Sequence, residues 1–332
     1  MTFLTTRFRS ITLIMAIVVG IGSQGGYHSP SYAAPLGTGV MSAAHDQDVN
    51  ESRLPHLVAP SHSAHISVPT VSDLNRLFSR VNYSLEDIGA GTSQVPGIFL
   101  FHLPADLAEI DDPATLKTVF IQALLPLVLK ANESIRDERM RLLTLRDSVR
   151  RGESLQFLEE AWLEQISDEY NIDVTNLSLD EQISELMLRV DEIPASLALA
   201  QAIEESGWGT SRLARKGNSL FGHTVFLADG PRIRVFDSLG DGIDAYFRNL
   251  NTHSAYSDFR KDRAAMRGKG NELDSVKLIE KLTSYSTRKK AYISTLRTLI
   301  RSNSLTDYDD ARLTSPQNAI KIRETQFSAS LP

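Results

Sequence analysis

The chain reads as a mainly α (α+β) protein with one small β-hairpin. Apolar residues recur at helical spacing over most of its length, alternation typical of paired strands occurs in one place, and a proline-opened apolar helix stops at two glycines. Helical spacing is plain in Ile243, Tyr246, Phe247 and Leu250. Residues 221–226 and 232–236 alternate on either side of Ala228-Asp229-Gly230-Pro231, which predicts a hairpin with a turn-rich tip. With 332 residues and 42% hydrophobic content, the chain can build one substantial core or two modest ones. A net charge of −6 offers no basic surface for nucleic acid.

Residues 1–33 read as an export signal. Arg7 and Arg9 precede an apolar run at 11–21, and Ser31-Tyr32-Ala33 has the small-x-small pattern of a cleavage site. The run is short for a membrane span, yet its long polar spacing from Ala33 leaves an uncleaved anchor open, and membrane contact is expected only in that case. Cleavage removes two arginines and no acid, taking the net charge from −6 to −8. Without cysteine the chain has neither a disulfide nor a lipid-modified cysteine, so its core alone must hold it. Residues 34–69, rich in Ser, His, Pro and Gly, read as a flexible linker in which His62 and His65 are solvated and bind no metal.

Residues 70–184 are expected to form a helical region that packs on or extends the domain C-terminal to it. Ser72 is placed to cap a helix carrying Leu74, Leu77, Phe78 and Val81. Residues 95–103 look extended and lead into Pro104. Asp112-Pro113 opens a helix to about residue 149, with a bend expected at Pro126 because proline lacks a backbone donor. The charged half of that helix, 135–151, reads as a solvated surface with Leu142, Leu145 and Val149 inside. Gly152 ends it. Leu155, Leu158, Trp162 and Ile166 mark a second helix and residues 179–190 a third. No catalytic motif falls in this region.

The informative stretch comes next. Asp191 and Glu192 precede Pro194, suited to the first helical position, and the helix runs through Leu197, Ala198, Ala202 and Ile203 to Glu205 on its last turn. Gly207 and Gly209 flank Trp208 and let the chain fold closely round that ring. A carboxyl group moved from water to an apolar cleft edge has its pKa raised, which suits a general acid working near neutral pH. Short helices are expected near Leu213-Ala214 and over about 256–266, 275–283 and 288–302, and a polar, disordered tail over 305–332.

The segment Ile193-Pro194-Ala195-Ser196 through Glu205-Ser206-Gly207-Trp208-Gly209, followed by Asn218-Ser219-Leu220-Phe221-Gly222, resembles the core of glycoside hydrolase family 73. These enzymes are bacterial N-acetylglucosaminidases that cut the glycan strands of peptidoglycan. Val235-Phe236-Asp237-Ser238, Gly242-Ile243-Asp244-Ala245-Tyr246-Phe247 and Tyr285-Ser286-Thr287 with Tyr292-Ile293 continue the likeness in order. Leu250-Asn251-Thr252-His253-Ser254-Ala255-Tyr256 is particularly similar to the Bax-type proteins of Gram-negative bacteria. The resemblance implies a lysozyme-like glucosaminidase domain over 185–304, peptidoglycan glycan strands as partner, no cofactor and a periplasmic location. It places Glu205 as the acid and Tyr292, seven positions after Tyr285, as the cleft tyrosine. Trp208, Asn218, Phe221 and Tyr285 are implied as substrate-binding positions.

The second catalytic group is less determined. Glycosidic cleavage also needs the cationic sugar to be captured by water and a base, by a protein nucleophile, or by the substrate's own acetamido group. Asp237 is the candidate base, Asp229 and Asp241 read as turn or capping residues, and substrate assistance with Tyr292 stays open beside them. The segment from Asp237 to Gly242 fails as a calcium loop, with Leu239 third and Arg248 twelfth, and Glu204 stands where a serine nucleophile elbow needs glycine. His223 and His253 are too separated to suggest a metal site. Two other functions compete: a muramidase or lytic transglycosylase on the same fold, and a wall-binding scaffold without catalysis.

Overall fold

The computed structural model describes residues 66–227 and 230–314. The export signal, most of the linker with its two histidines, Asp229 and residues 315–332 lie outside them.

Local capping chemistry sets where each helix begins. α1 (Val71–Arg80) starts at Thr70, whose Oγ1 accepts the Asp73 N–H at 3.1 Å; Ser72 is already helical and caps nothing. α2 (Leu85–Gly89) is capped by Ser84 and α3 (Pro113–Arg150) by Asp112, which receives the Thr115 N–H at 2.8 Å. α3 runs unbroken through Pro126, which is buried within it. It is long and apolar enough to cross a membrane, but its apolar window is mostly buried in the protein, as in the core helix of a soluble domain.

The charged half of α3 is not simply a solvated face. Arg136 pairs with Glu192, and Arg139 donates to the Met187 and Val190 carbonyls at 2.8 and 2.7 Å. α4 (Phe157–Glu169) buries Leu163 and Ile166 and leaves Leu158 exposed, because Leu158 stands off the stripe those two define. α5 (Leu179–Arg189) opens with a reciprocal cap between Ser178 and Glu181.

α6 (Ala195–Ser206) is the central element, buried on every side from Ala195 to Ile203. Its alanines let neighbours approach closely: α3, α11 (Lys290–Ser302) and the turn Leu305–Tyr308 all pack on it, while α3 also packs on α5 and on α8 (Leu239–Thr252). One apolar cluster runs from Val71 to Ala311, so residues 70–184 share a core with the domain they precede. α7 (Arg212–Gly217), α9 (Ser257–Gly268) and α10 (Ser275–Leu278) complete the helical body.

Order extends past both expected limits. Ile66, inside the segment read as linker, pairs with Leu100 in a parallel bridge, and Val95 pairs likewise with Leu313. The tail read as disordered is built into the fold as far as residue 314, since Leu305, Tyr308 and Ala311 are buried among its polar residues. The hairpin is shorter than expected: β1 (Thr224–Leu227) pairs antiparallel with β2 (Gly230–Ile233) from Thr224↔Ile233 to Leu227↔Gly230. A single bond prolongs the contact, from Arg234 N–H to the His223 carbonyl at 2.7 Å, and the Phe236 N–H ties the segment after the hairpin to the Gly217 carbonyl of α7 at 2.9 Å.

Candidate active site

The helix that presents Glu205 is fixed at both ends. Pro194 has no side-chain donor or acceptor for a cap, so Asp309 caps α6 from the far end of the chain, taking the Ser196 N–H at 2.8 Å and its hydroxyl at 2.7 Å. Asn132 of α3 exchanges two bonds with the Ile193 backbone, at 2.7 and 3.0 Å. Just before them Asp191, 1% exposed, lies 3.1 Å from Arg267, 3.6 Å from Arg139 and 3.7 Å from Arg263. Arg263 is itself fully buried and donates to the backbone carbonyls of Leu188, Arg189, Asp191 and Glu192. These acids, read in sequence as markers of a helix start, form a buried ionic hub.

At the other end the chain reverses sharply. Gly207, Trp208 and Gly209 have φ of 60°, 58° and 73°, a left-handed run that closes α6 through the Gly207 N–H to Ile203 carbonyl bond of 2.9 Å. Ser206 locks the turn by donating to the Ala202 carbonyl and accepting the Gly209 N–H. A Cβ on Gly209 would meet Leu103 at 2.7 Å and Phe120 at 2.9 Å, so the turn sits directly on the upstream helical region. Trp208 is half-buried, its ring edge-on to Phe120 and under the Lys117 ammonium.

Glu205 projects from this last turn, half-buried. Burial pushes its carboxyl up to about 7; a bond from Tyr292 and the Arg288 charge pull it down, and neighbouring Glu204 pushes it further up. Glu204 is paired with Arg288, whose guanidinium lies 5.5 Å from the Tyr292 ring centre. Around the carboxylate stand four tyrosines, Tyr246, Tyr256, Tyr285 and Tyr292, each with its hydroxyl pKa raised first by burial and then by charged or ionisable neighbours that include Glu205. The Tyr285 and Tyr292 rings stack at 5.7 Å, and Phe221 stacks on Tyr246 at 3.9 Å.

The positions expected to bind substrate divide accordingly. Tyr292 is 0% exposed, so its hydroxyl meets Glu205 and Gln201 and has no surface to offer a sugar. Phe221 and Tyr285 are also buried, joined by the Tyr285 hydroxyl donating to the Phe221 carbonyl at 3.1 Å. Asn218 is buried with φ of 49°, its amide donating to the Phe236 carbonyl at 3.0 Å and its oxygen 3.0 Å from His102 Nδ1. Tyr292, Phe221 and Tyr285 support the site from behind, Asn218 ties the segment after the hairpin to His102, and Trp208 alone of those five keeps open surface.

Asp237 is exposed and lines a separate cavity of about 590 Å³ with His223, Asp241, Asp244 and Arg248, to which Glu205 and its tyrosines contribute nothing. Asp241 is a capping residue, accepting the Ser238 N–H and hydroxyl at 3.0 and 2.8 Å. Burial and the Arg234 charge lower His223 to about 4, and neither ring nitrogen has a partner. His253 accepts the Ala255 N–H at 3.1 Å. Among the described residues no three His, Asp or Glu side chains gather as a metal set.

Sequence reasoning passed over Gln201, Tyr246, Tyr256 and Arg288. Gln201 had a legible signal, a lone amide among the apolar residues from Leu197 to Ile203.

A helical body with one small hairpin has lysozyme-like architecture, and Glu205 stands at the end of its core helix. Residues 181–305 match the glucosaminidase family, described as mannosyl-glycoprotein endo-β-N-acetylglucosaminidase. The chain is 33% identical over 205 residues to protein bax of Escherichia coli strain K12, a match spanning 60% of this chain and 73% of that one. It therefore belongs to the Bax-type family, with a domain of glycoside hydrolase family 73. The catalytic domain of the autolysin Auto from Listeria monocytogenes is 22% identical over 50% of this chain and 96% of that domain, with a TM-score of 0.28, a likeness too distant to carry fold or function.

Proposed function

We propose that this chain is a peptidoglycan hydrolase acting as an endo-β-N-acetylglucosaminidase, with Glu205 as general acid. The observation that carries the reading is a half-buried carboxyl whose pKa is raised to about 7, the level at which it stays protonated long enough to protonate a departing sugar oxygen and then serve as a base. The family match supplies the sugar class.

Substrate assistance supports the rest of the reaction better than Asp237 does. Among the described residues, the carboxylate that bears on Glu205 is Glu204, and Arg288 holds it in an ion pair. The acetamido oxygen of the sugar then attacks the anomeric carbon, with Glu205 giving its proton to the leaving oxygen and afterwards taking one from the water that opens the ring. Tyr292 orients the acid from behind, and Trp208 offers the open aromatic face for a sugar. Residues 1–33 direct export, and the mature protein acts in the periplasm, anchored to the membrane only if that segment is retained.

The test is product analysis on purified sacculi. Glucosaminidase action releases fragments with N-acetylglucosamine at the new reducing end, whereas muramic acid there would assign a muramidase. Anhydro-muramic ends would assign a lytic transglycosylase. Pulldown on sacculi without any cleavage would reduce the protein to a wall-binding scaffold.

A further inference from the structure

We infer that Gln201 and Tyr246 are positioning residues for the acid: together they fix the direction of a buried hydrogen-bond relay, so that Tyr292 donates to one oxygen of Glu205 and the exchangeable proton is kept on the other. The inference rests on Glu205 being the acid of the proposed reaction.

The geometry sets the direction step by step. The Tyr246 hydroxyl lies 2.6 Å from Gln201 Oε1, an atom that only accepts, so Tyr246 donates. With its oxygen occupied, Gln201 turns Nε2 to the Tyr292 hydroxyl, 2.8 Å away, and an amide nitrogen only donates. Tyr292 therefore accepts a hydrogen bond from behind and keeps its own hydroxyl hydrogen for Glu205, the ionisable neighbour that the hydroxyl faces. Gln201, Tyr246 and Tyr292 are all fully buried, so no water competes for these bonds. Phe221 stacked on Tyr246 and Tyr285 stacked on Tyr292 hold both rings in place.

The chemical consequence is clearest in the reversed case. With the Gln201 amide turned over, Tyr292 would donate to Gln201 and accept from Glu205, tying up the proton that catalysis needs. Tyr246 opposes this, because with the amide reversed its hydroxyl would accept from Nε2 and its own buried hydrogen would lose its acceptor. A donor to the ionised carboxylate also lowers its pKa, so losing the relay raises it. The other groups facing Glu205 are Glu204, Arg288, Tyr256 and Tyr285, and all four stay unchanged when the relay residues are substituted.

The pH dependence of turnover on sacculi, paired with carboxyl carbon NMR titration of Glu205, tests the relay. Tyr292→Phe removes the donor itself, and its basic limb moves upward with a loss of about tenfold in kcat, in the range of a single lost orienting bond in a buried network. Tyr246→Phe, which keeps the ring, moves the limb and the NMR titration the same way by a smaller amount, with kcat falling more than KM changes. The double variant goes no further than Tyr292→Phe alone, because both act on one bond. Gln201→Met repeats the upward shift and serves where Tyr246→Phe fails to fold. A Tyr246→Phe or Gln201→Met protein that is folded, with the titration of Glu205 unmoved, overturns the relay. So does a double variant whose shifts add. Full activity in Glu205→Gln would instead remove the acid assignment, whatever the tyrosine variants show.

Discussion

A carboxylate stands at each end of α6, Asp191 buried just before it and Glu205 half-buried on its last turn, and the fold treats them oppositely. At the N-terminal end Asp191 lies among Arg139, Arg263 and Arg267, so its charge is matched by cations and it serves as a bolt between α3, α6 and α9. At the C-terminal end the cation that bears on Glu205, Arg288, is already committed to Glu204, and the acid is faced by tyrosine hydroxyls that carry no charge. Guanidinium groups match the charge of Asp191, whereas burial raises Glu205 and the Tyr292 hydroxyl partly offsets that rise. The difference separates an acid matched by cations from one whose proton affinity burial raises, the pattern that the proposed general acid requires.

That contrast can be broken from either end. Glu205→Gln has the largest expected effect, a loss of about a thousandfold or more in cleavage of sacculi, since proton donation to the leaving group is removed outright. The same variant is expected to be the more stable protein at alkaline pH. Glu205 rises from 4.5 to about 7 on folding, so the wild type loses stability as pH climbs through that window, by about 1–3 kcal/mol allowing for its open face. Urea titrations of both proteins should coincide below pH 4.5 and diverge above 7.

Asp191→Ala should show the complementary pattern, about 3–5 kcal/mol of lost stability in urea, with kcat per folded molecule retained, because Arg139 and Arg263 lose their carboxylate partner and Arg267 keeps only Glu192. A fall in kcat with stability intact would invert the comparison. Asp309→Ala removes the cap of α6 and should cost about 1–2 kcal/mol by the same measurement. Asp237→Asn is expected to change turnover least, within about twofold; a loss as great as that of Glu205→Gln would identify it as the base and reject substrate assistance.

Much of the site was legible in local pattern because local pattern made it. Pro194, the apolar face through Ile203 and the pair Gly207 and Gly209 mark where α6 starts and stops, and Ser238 with Asp241 marks the start of α8. Residues acting across the chain were not legible. Asp309 caps Ser196 from 113 positions away, and Arg263 reaches the Leu188 carbonyl from 75, distances over which periodicity carries no information. Tyr292 was expected as the cleft tyrosine from its pairing with Tyr285, but spacing in a motif does not say which side of the carboxylate a ring occupies. The tail misled for a compositional reason: its polar residues outnumber Leu305, Tyr308 and Ala311, yet those few are what bury it.

The close seating of Gly209 against Leu103 and Phe120 bears on how this gene can be cut and still yield enzyme. The family match begins at 181, which invites expression from there. A truncate of that kind strips the wall against which the catalytic turn is pressed and bares the flank of α6 that α3 covers. Soluble, active protein calls for a fragment that starts no later than Ile66, and transplanting the glucosaminidase segment alone into another hydrolase would carry the acid without its anvil.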